Sequence, residues 1–552
     1  MDGYGTMMSE IDDQLEKQQA THIFAPVGVG SFSQAVTSHF RQQGRFTRVI
    51  GVEPDTAACL WKSLSCGTST AIETVPTIMA GLDCGTVSTT AWPILSKGLC
   101  ASVTVSDFEA HSASLYLSTC GVSAGPCSGS TVAALRRLSP TDKERLGIDS
   151  NSIIVLPCTE GARDYNVPLD VATDDPVELT QLLVQINSAN PSMGSVPGPG
   201  ETAIARYIAA WLEHRDLECH WVEPTQGRPS IVGVMRGTGG GKSLMFNGHI
   251  DTVTLVGYDK DPLSGEIENG KLYGRGAADM KCGVAAAMVA LANSKHLGLR
   301  GDVIFAGVAD EEDLSIGTED VLRAGWRADG AIVNEPTNLC VVNAHKGFVW
   351  LEVNIHGVAS HGSRADLGVD AICKAGHFLA ELDRHAQRLR TSRPDSIIGP
   401  PTIHASLIKG GEEASSYPAN CLITLERRTL VGETASSIEN EIRGLLEKIK
   451  SQVDDFEFDV KATASRPAFE SSPNDAFCRL VCEEAGAAMG ITPTISPEPY
   501  WTDCALLAAE GIPSLLWGPI GEGLHAKEEW ADVESIRTVS RALTSIAGKF
   551  CK

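Results

Sequence analysis

The sequence predicts an α/β chain built from two successive α/β regions, the second of which is interrupted by an α+β module. In both regions, short apolar and β-branched runs alternate with helical stretches, which is the pattern of a parallel sheet covered by helices. Residues 166–177, with two prolines and an acidic pair, separate the regions and are predicted to be a linker. Around 349–355 the pattern shifts to alternation of apolar and polar residues, which indicates a half-exposed strand and an inserted module.

The first region, residues 1–165, carries three predicted strands, and a glycine turn leads from the first strand into a helix. These strands are placed at 21–25, 49–52 and 153–156. The second region begins with helices and strands in βαβ order, and it returns to α/β character near its end. Its predicted helices lie at 178–187, 201–212 and 282–292, and its strands at 230–235, 244–247, 303–306 and around 515–518.

The inserted module, residues 344–462, is predicted to run strand, helix, strand, helix. These elements are placed at 349–355, 370–388, 419–428 and 435–452. The module therefore divides the second region into one domain made of 178–343 and 463–552, and a separate domain made of 344–462.

Charge and cysteine content exclude several classes of protein. The net charge of −24 argues against a nucleic-acid binder, because such proteins present Lys and Arg to phosphate. No run of 18 apolar residues suggests a membrane span, and the first residues show no secretory signal. The 16 cysteines are scattered, which favours reduced thiols over a disulfide framework. We therefore expect a cytoplasmic protein that binds neither nucleic acid nor membranes.

Metal-binding chemistry first appears at the end of the strand predicted at 244–247. His249 and Asp251 are two residues apart in an extended segment, so their side chains face the same side. A neutral imidazole is a good zinc ligand, and a carboxylate beside it can fix its tautomer and orientation. The pair is therefore a candidate ligand with its supporting acid.

Four further segments place carboxylates or a histidine near strand ends. Asp279 stands among glycines at the entry to a helix, the acidic run 310–313 follows the strand at 303–306, and Glu335 precedes a proline. His525 lies far downstream. Each segment alone has an ordinary structural explanation, as a turn, a solvated loop or a structural histidine. Together they are informative, because ligands cluster at the carboxyl ends of strands in open α/β sheets.

The combined set amounts to two imidazoles, three carboxylates and one spare glutamate. Nitrogen and oxygen ligands without a thiolate suit zinc, and also cobalt or manganese. Two ions need about this many protein ligands if water completes their shells. The spare glutamate supplies the base that hydrolysis requires.

The order of these motifs resembles the metallopeptidase family of aminoacylases, acetylornithine deacetylases, succinyl-diaminopimelate desuccinylases and glutamate carboxypeptidases. The resemblance covers about 177–552. It implies a zinc-exopeptidase α/β domain with an inserted α+β lid at 344–462, and a homodimer formed through the lid. The matching motifs are Gly-His-Ile-Asp-Thr-Val at 248–253, Gly-Arg-Gly-Ala-Ala-Asp-Met-Lys-Cys-Gly at 274–283, Asp-Glu-Glu at 310–312 and Glu-Pro-Thr at 335–337.

The resemblance implies two Zn²⁺ or Co²⁺ ions per subunit and a ligand set for each. His249, Asp279 and Glu335 would bind one ion. Asp279, Glu312 and His525 would bind the other, so that Asp279 bridges the pair.

The resemblance also implies catalytic roles. Glu311 would be the general base, and Asp251 would support His249. In the lid, Ala-Ser-His-Gly-Ser-Arg at 359–364 is similar to the family's His-Ser-x-Arg-Pro segment. His361 would therefore stabilise the oxyanion, often from the partner subunit in this family. Such a donor is worth about 10²–10³ in rate.

Two lid positions are expected to contact the substrate. Arg428 lies where the family keeps an arginine for the substrate carboxylate, a task that suits a guanidinium. Ser415 stands three residues before a proline, where the family often has Asn. Gly362 and residues 365–366 also depart from the family pattern. These departures leave the hydrolytic residues untouched but put the substrate's identity in doubt.

The first region resembles the C-terminal half of diaminopropionate ammonia-lyase, a pyridoxal-phosphate enzyme with a tryptophan-synthase β-like fold. The matching segments are at 3–7, 25–31, 51–54 and 77–82. Gly28, Gly30 and Ser31 would form the turn that holds the cofactor phosphate. The family's Schiff-base lysine belongs to the half expected before residue 1, and Lys17 is the only lysine before Gly28. We therefore expect a vestigial site in which pyridoxal phosphate is not functional.

The sequence leads to a metal-dependent hydrolase that cleaves the amide bond of an N-acyl amino acid with a two-metal-activated water. Acetylornithine deacetylase or aminoacylase activity is the default. A dipeptidase or carboxypeptidase with the same site, and a pyridoxal-phosphate ammonia-lyase, are the alternatives. A non-catalytic scaffold is disfavoured because the general base is intact.

Overall fold

The computed structural model describes residues 2–16, 18–41, 45–392 and 396–552. Lys17 lies outside the described residues. The chain divides into two compact units. The N-terminal unit is Met1–Ala172 with Glu213–Asp216, and the C-terminal unit is Thr173–Leu212 with Leu217–Lys552.

The N-terminal unit contains a four-stranded parallel sheet in the order β3-β2-β1-β4. Its elements are α1 (Gly5–Gln14), β1 (His22–Pro26), α2 (Ser31–Phe40), β2 (Arg48–Pro54), α3 (Cys59–Cys66), α4 (Trp92–Gly98), β3 (Leu99–Val105), α5 (Asp107–Thr119), α6 (Pro126–Arg137), α7 (Pro140–Leu146) and β4 (Ile154–Val155). All five residues of β1 are buried, which explains its continuous apolar run. The three strands predicted from sequence are β1, β2 and β4; β3 escaped prediction. Residues 156–175, all described, contain no helix or strand.

The C-terminal unit is built on a nine-stranded mixed sheet. The elements that precede the insert are α8 (Pro176–Gln185), α9 (Thr202–Glu213), β5 (Glu218–Val222), β6 (Ser230–Met235), β7 (Leu244–His249), β8 (Ile267–Glu268), β9 (Lys271–Tyr273), α10 (Cys282–Ser294), β10 (Val303–Val308), α11 (Ile316–Arg323), β11 (Gly330–Val333) and β12 (Val341–His345). Three further strands of this sheet follow the insert: β17 (Phe469–Glu470), β18 (Ile495–Glu498) and β19 (Ser514–Leu516). The main path of the sheet is β17-β12-β19-β11-β7-β10-β6-β5, and β18 pairs with β12.

After the insert come β17 (Phe469–Glu470), α14 (Ala476–Met489), β18 (Ile495–Glu498), α15 (Cys504–Ala509), β19 (Ser514–Leu516), β20 (Gly521–Glu522), β21 (Trp530–Asp532) and α16 (Val533–Phe550). The central strands β10, β7, β11 and β19 are mutually parallel, so their carboxyl ends share one edge. Helix α10 packs against α8 and α16 and is buried on nearly every side, which its alanine-rich sequence permits. Four short strands form a separate sheet in the order β20-β21-β9-β8.

The insert is an antiparallel four-stranded sheet in the order β14-β15-β13-β16. Its elements are β13 (Gly347–His356), α12 (Ala371–Arg390), β14 (Thr402–Gly410), β15 (Asn420–Thr429), α13 (Ala435–Lys450) and β16 (Glu457–Arg466). Alternate residues of β13 and β15 share a buried core with α12 and α13. The predicted strand–helix–strand–helix order was therefore incomplete, because it lacked β14 and β16. Both are edge strands with mostly exposed side chains, so they lack a strong apolar alternation.

In the part of the chain that the structure describes, no helix combines the length and apolar character needed to cross a membrane.

Candidate active site

His249 ends β7, in the middle of the sheet, and is buried. Its Nδ1 lies 3.0 Å from the backbone carbonyl oxygen of Asp251, to which it donates. The lone pair therefore sits on Nε2, which lies 3.0 Å from Asp279 Oδ1 and 3.6 Å from Glu335 Oε1. This is the tautomer that a metal-ligating imidazole needs.

Asp251 does more than accompany His249. Its carboxylate accepts hydrogen bonds from the backbone N–H of Glu311 at 3.1 Å and of Glu312 at 3.4 Å. Asn190 donates to the same carboxylate at 2.8 Å. Asp251 therefore positions the histidine through its backbone carbonyl, and its carboxylate positions the loop that carries the two glutamates.

Asp279 lies between the two histidines. Its Oδ1 faces His249 Nε2, while its Oδ2 lies 3.3 Å from His525 Nε2. The preceding Gly276 has a φ of +78°, a left-handed conformation that glycine adopts without strain, and the Asp279–Met280 peptide is cis. Each carboxylate oxygen thus points to a different imidazole, which is the arrangement of a bridging ligand.

The two adjacent glutamates diverge. Glu312 Oε2 lies 3.0 Å from His525 Nε2, whereas a ligand atom of Glu311 lies within 4.8 Å of ligand atoms of His249 and Glu335. A second such group joins His249, Asp279 and Glu312. The structure therefore brings together all five sequence-predicted ligands, with Glu311 and Asp251 beside them.

The cluster holds several buried carboxylates close together, and their negative charges repel one another. Burial raises the pKa of Glu335 and Glu311 well above the usual range, and repulsion from neighbouring carboxylates adds to it. Burial and Asp279 raise the pKa of Glu312 to about 7. Hydrogen bonds that His525 donates to the carboxylates of Asp279 and Glu312 raise its pKa to about 10. Bound cations would offset this excess of negative charge, so the donor set fits divalent metal ions.

A second buried network lies behind Asp251. Asn190 also donates to Asp310 Oδ1 at 3.0 Å. Arg228 donates to that same oxygen at 2.6 Å and holds the buried Glu201 through both of its carboxylate oxygens. Neither Asn190 nor Arg228 stands out in the sequence, because their partners are distant along the chain.

We expect Arg228→Ala to lower the free energy of unfolding by about 3 kcal/mol, because it leaves Glu201 and Asp310 buried and uncompensated. The matched control is Arg236→Ala. Arg236 also pairs with two acids, but its side chain is 52% exposed, so the cost should stay below about 1 kcal/mol. Denaturant unfolding measures both variants. If both variants lost the same free energy of unfolding, burial would not explain the stabilising effect of Arg228.

The predicted lid residues make their contacts within the lid. The Nδ1 of His361, an exposed residue, lies 2.8 Å from Ser363 Oγ. The carbonyl of Ser415 accepts from the N–H of Gly362 at 2.7 Å. Arg428 pairs with Glu426 at 2.8 Å and stacks over the Phe348 ring. Among the described contacts, none joins His361, Ser415 or Arg428 to the buried carboxylate cluster.

In the N-terminal unit, Gly28, Gly30 and Ser31 line a cavity of about 770 Å³ in front of α2. Gly30 has a φ of +93° and precedes the first residue of α2, whose first-turn N–H groups have no partners within the helix. No lysine is among the described residues that line it. The turn fits a phosphate group, but the lining residues that the structure describes include no amine for covalent attachment of pyridoxal phosphate.

Glu529 is the functional candidate that sequence reasoning passed over. It lies in the His525 segment and is fully buried beside the Asp279 loop. Its neighbour Glu528 has the same side chain and is exposed, so the sequence alone does not distinguish the two.

Comparison with known proteins agrees with this geometry. Residues 245–549 match the family described as Peptidase family M20/M25/M40, and residues 1–159 match the family described as Pyridoxal-phosphate dependent enzyme. Acetylornithine deacetylase of Myxococcus xanthus is 28% identical over 327 residues, which are 58% of this chain and 84% of that protein.

Two solved structures share the fold of the C-terminal unit. Aminopeptidase PepT of Bacillus cereus ATCC 10987 has a TM-score of 0.57 at 20% identity, covering 69% of this chain and 100% of its own. YXEP of Bacillus subtilis, described as a dinuclear metal binding peptidase, has a TM-score of 0.52 at 18% identity, covering 68% and 97%. Both resemblances and the α/β class predicted from sequence are confirmed at the family level. The chain belongs to peptidase family M20/M25/M40, as a metallohydrolase of linear amide bonds, and its residues 1–159 are similar to the pyridoxal-phosphate-dependent enzyme family.

Proposed function

We propose that the C-terminal unit removes the acyl group from an N-acyl amino acid, with acetylornithine deacetylase-like activity as the first expectation. The main support for this proposal is the cluster of two imidazoles and three carboxylates with Glu311 beside it. The 28% identity to acetylornithine deacetylase supports this substrate class. The reactive group would be a linear amide carbonyl in a small molecule.

Two Zn²⁺ or Co²⁺ ions per subunit are the proposed cofactors. His249, Asp279 and Glu335 would hold one ion, and Asp279, Glu312 and His525 the other. When bound, such ions lower the pKa of a water molecule and polarise the scissile carbonyl. The mixed nitrogen and oxygen donors suit zinc and cobalt alike.

The residues of this chain supply proton transfer and orientation. Glu311 takes the proton of the attacking water and then delivers it to the leaving amine nitrogen. Asp251 keeps Glu311 in place through the backbone and keeps His249 in its ligating tautomer through the Asp251 carbonyl oxygen. Proton transfer of this kind accounts for about 10²–10⁴ in rate.

Two lid residues complete the proposed site. His361 would donate a hydrogen bond to the oxyanion, and its exposed imidazole is free to approach a substrate from this subunit or a partner. Arg428 would bind the substrate carboxylate, for which it would exchange its present partner Glu426. Ser415 would line the far end of the substrate.

A dipeptidase or carboxypeptidase would use the same metals and base, so substrate assays decide between the classes. We would test N-acetyl-ornithine, N-acetyl-methionine, N-succinyl-diaminopimelate and two dipeptides with added zinc or cobalt. We expect turnover of an N-acyl amino acid that a chelator abolishes and metal restores. If only the dipeptides were hydrolysed, the substrate would be a peptide and not an N-acyl amino acid. A protein that binds no metal would refute the hydrolase mechanism.

The lid is also the proposed dimer contact. The edge strand β14 leaves Leu407 69% and Ile408 56% exposed, and its unpaired backbone offers a site for strand pairing. Sedimentation equilibrium should give twice the 58.5 kDa chain mass. A monomer at micromolar concentration would contradict this.

For the remaining organisation, we propose a lid at 344–462, a catalytic domain at 178–343 and 463–552, a linker at 166–177, and a partial domain similar to pyridoxal-phosphate-dependent lyases at 1–165. A cytoplasmic location is supported by the 16 cysteines, all of which are free thiols in the structure. Absorbance spectra of the purified protein should lack a bound pyridoxal phosphate chromophore.

A further inference from the structure

Glu529 precedes β21 and is completely buried. Its Oε1 accepts the backbone N–H of Ala278 at 2.9 Å and of Asp279 at 3.0 Å. Its Oε2 accepts the N–H of Gly276 at 3.1 Å and the guanidinium of Arg275 at 2.8 Å. Four donors, from four of the five residues between Arg275 and Asp279, therefore converge on one carboxylate, and all belong to the loop that presents Asp279.

The same group is tied to the segment that presents His525. The other terminal nitrogen of Arg275 donates a hydrogen bond to the backbone oxygen of Ala526 at 2.7 Å. The Tyr258 hydroxyl donates to the Glu529 carbonyl and accepts from the Glu529 N–H, each at 3.1 Å. The Tyr258 ring also lies under the Arg275 guanidinium. The buried Glu529–Arg275 ion pair thus joins the Asp279 loop to the His525 segment.

We infer that Glu529 is a positioning residue that sets the separation between the Asp279 carboxylate and the His525 imidazole, and so the geometry of the second metal site. This rests on the proposed function. Three observations support it. The side chain contacts neither imidazole directly, it fixes the backbone of the bridging acid itself, and its partner Arg275 also holds the residue next to His525. Groups behind metal ligands typically change metal affinity about 10–100-fold when altered.

The test compares Glu529→Gln with Glu528→Gln in the full chain. Glu528 is the neighbouring glutamate, 49% exposed and only loosely paired with Lys260, so its variant should behave as wild type. Titration calorimetry with Zn²⁺ should show the weaker of two affinities reduced about 10–100-fold in Glu529→Gln. The Mn²⁺-loaded variant should lose the spin coupling of a metal pair in its electron paramagnetic resonance spectrum. For turnover, kcat should fall while KM changes little.

A purely structural role would give a different result. If Glu529→Gln only lowers the melting temperature, with both metal affinities and the coupled spectrum unchanged, the inference is wrong. If the variant does not fold, Tyr258→Phe is the second probe, because it removes only the hydroxyl that holds Glu529. It should weaken the same affinity in the same direction, and unchanged affinities would again overturn the inference.

Failure of the proposed function has its own signature. If the wild-type protein bound two metal ions but hydrolysed no member of the panel, the proposed substrate class would be refuted. The metal-affinity test of Glu529→Gln would remain valid. Wild-type protein that binds no metal would overturn both.

Discussion

Replacing Glu311 by Gln should lower kcat by about 10²–10⁴-fold while the protein still binds its metal ions. The substitution keeps the volume of the side chain and removes its ability to accept a proton. The five predicted ligands are untouched, and the Asp251 carboxylate still receives the Glu311 backbone N–H. Binding of substrate should therefore persist, so KM should change far less than kcat. Steady-state kinetics with metal analysis on the same sample measures both quantities.

The matched control lies in the same acidic run. Asp313 is two residues away and belongs to neither group of converging metal-binding side chains in the described part of the chain. Asp313→Asn should keep kcat within a few-fold of wild type. If Glu311→Gln retained full activity, or if Asp313→Asn were equally inactive, the assignment of Glu311 as general base would fail.

The proximity of the candidate ligands His249 and Glu335 could be predicted from sequence because each follows a strongly patterned strand. His249 and Glu335 come at the ends of β7 and β11, and these strands are parallel neighbours. A parallel pair brings its carboxyl ends to one edge, so residues 86 positions apart meet there. The prediction that Glu311 and Glu312 have separate roles depended on the resemblance, because adjacency alone does not show which side chain turns toward which histidine.

The supporting residues could not be found in this way. Glu529 accepts a backbone N–H from Asp279, 250 residues earlier, and no local pattern encodes such a contact. Arg228 and Asn190 likewise act through partners brought close only by the fold. The strands β14 and β16 were missed for a related reason. An edge strand with one solvated face buries few side chains, so its sequence carries little apolar periodicity.

Replacing Asp279 by Asn should reduce the metal content of the protein from two ions to one or fewer and lower kcat/KM by about 10³-fold or more. The two carboxylate oxygens face different imidazoles, at 3.0 Å from His249 Nε2 and 3.3 Å from His525 Nε2. An amide keeps one acceptor oxygen and turns the other position into a donor. It therefore cannot serve two cations, and it places N–H groups where a ligand atom is required.

The informative comparison is with His525→Ala, which would remove the proposed terminal ligand of one ion only. That variant should retain one ion at near wild-type affinity, whereas Asp279→Asn should weaken both. Asp259→Asn, at an exposed aspartate, controls for the loss of one negative charge and should bind two ions. Metal analysis after dialysis, combined with calorimetric titration, separates the three variants. If Asp279→Asn still bound two ions at wild-type affinity, Asp279 would not be the bridge, and the two sites would have to be held by separate sets of side chains.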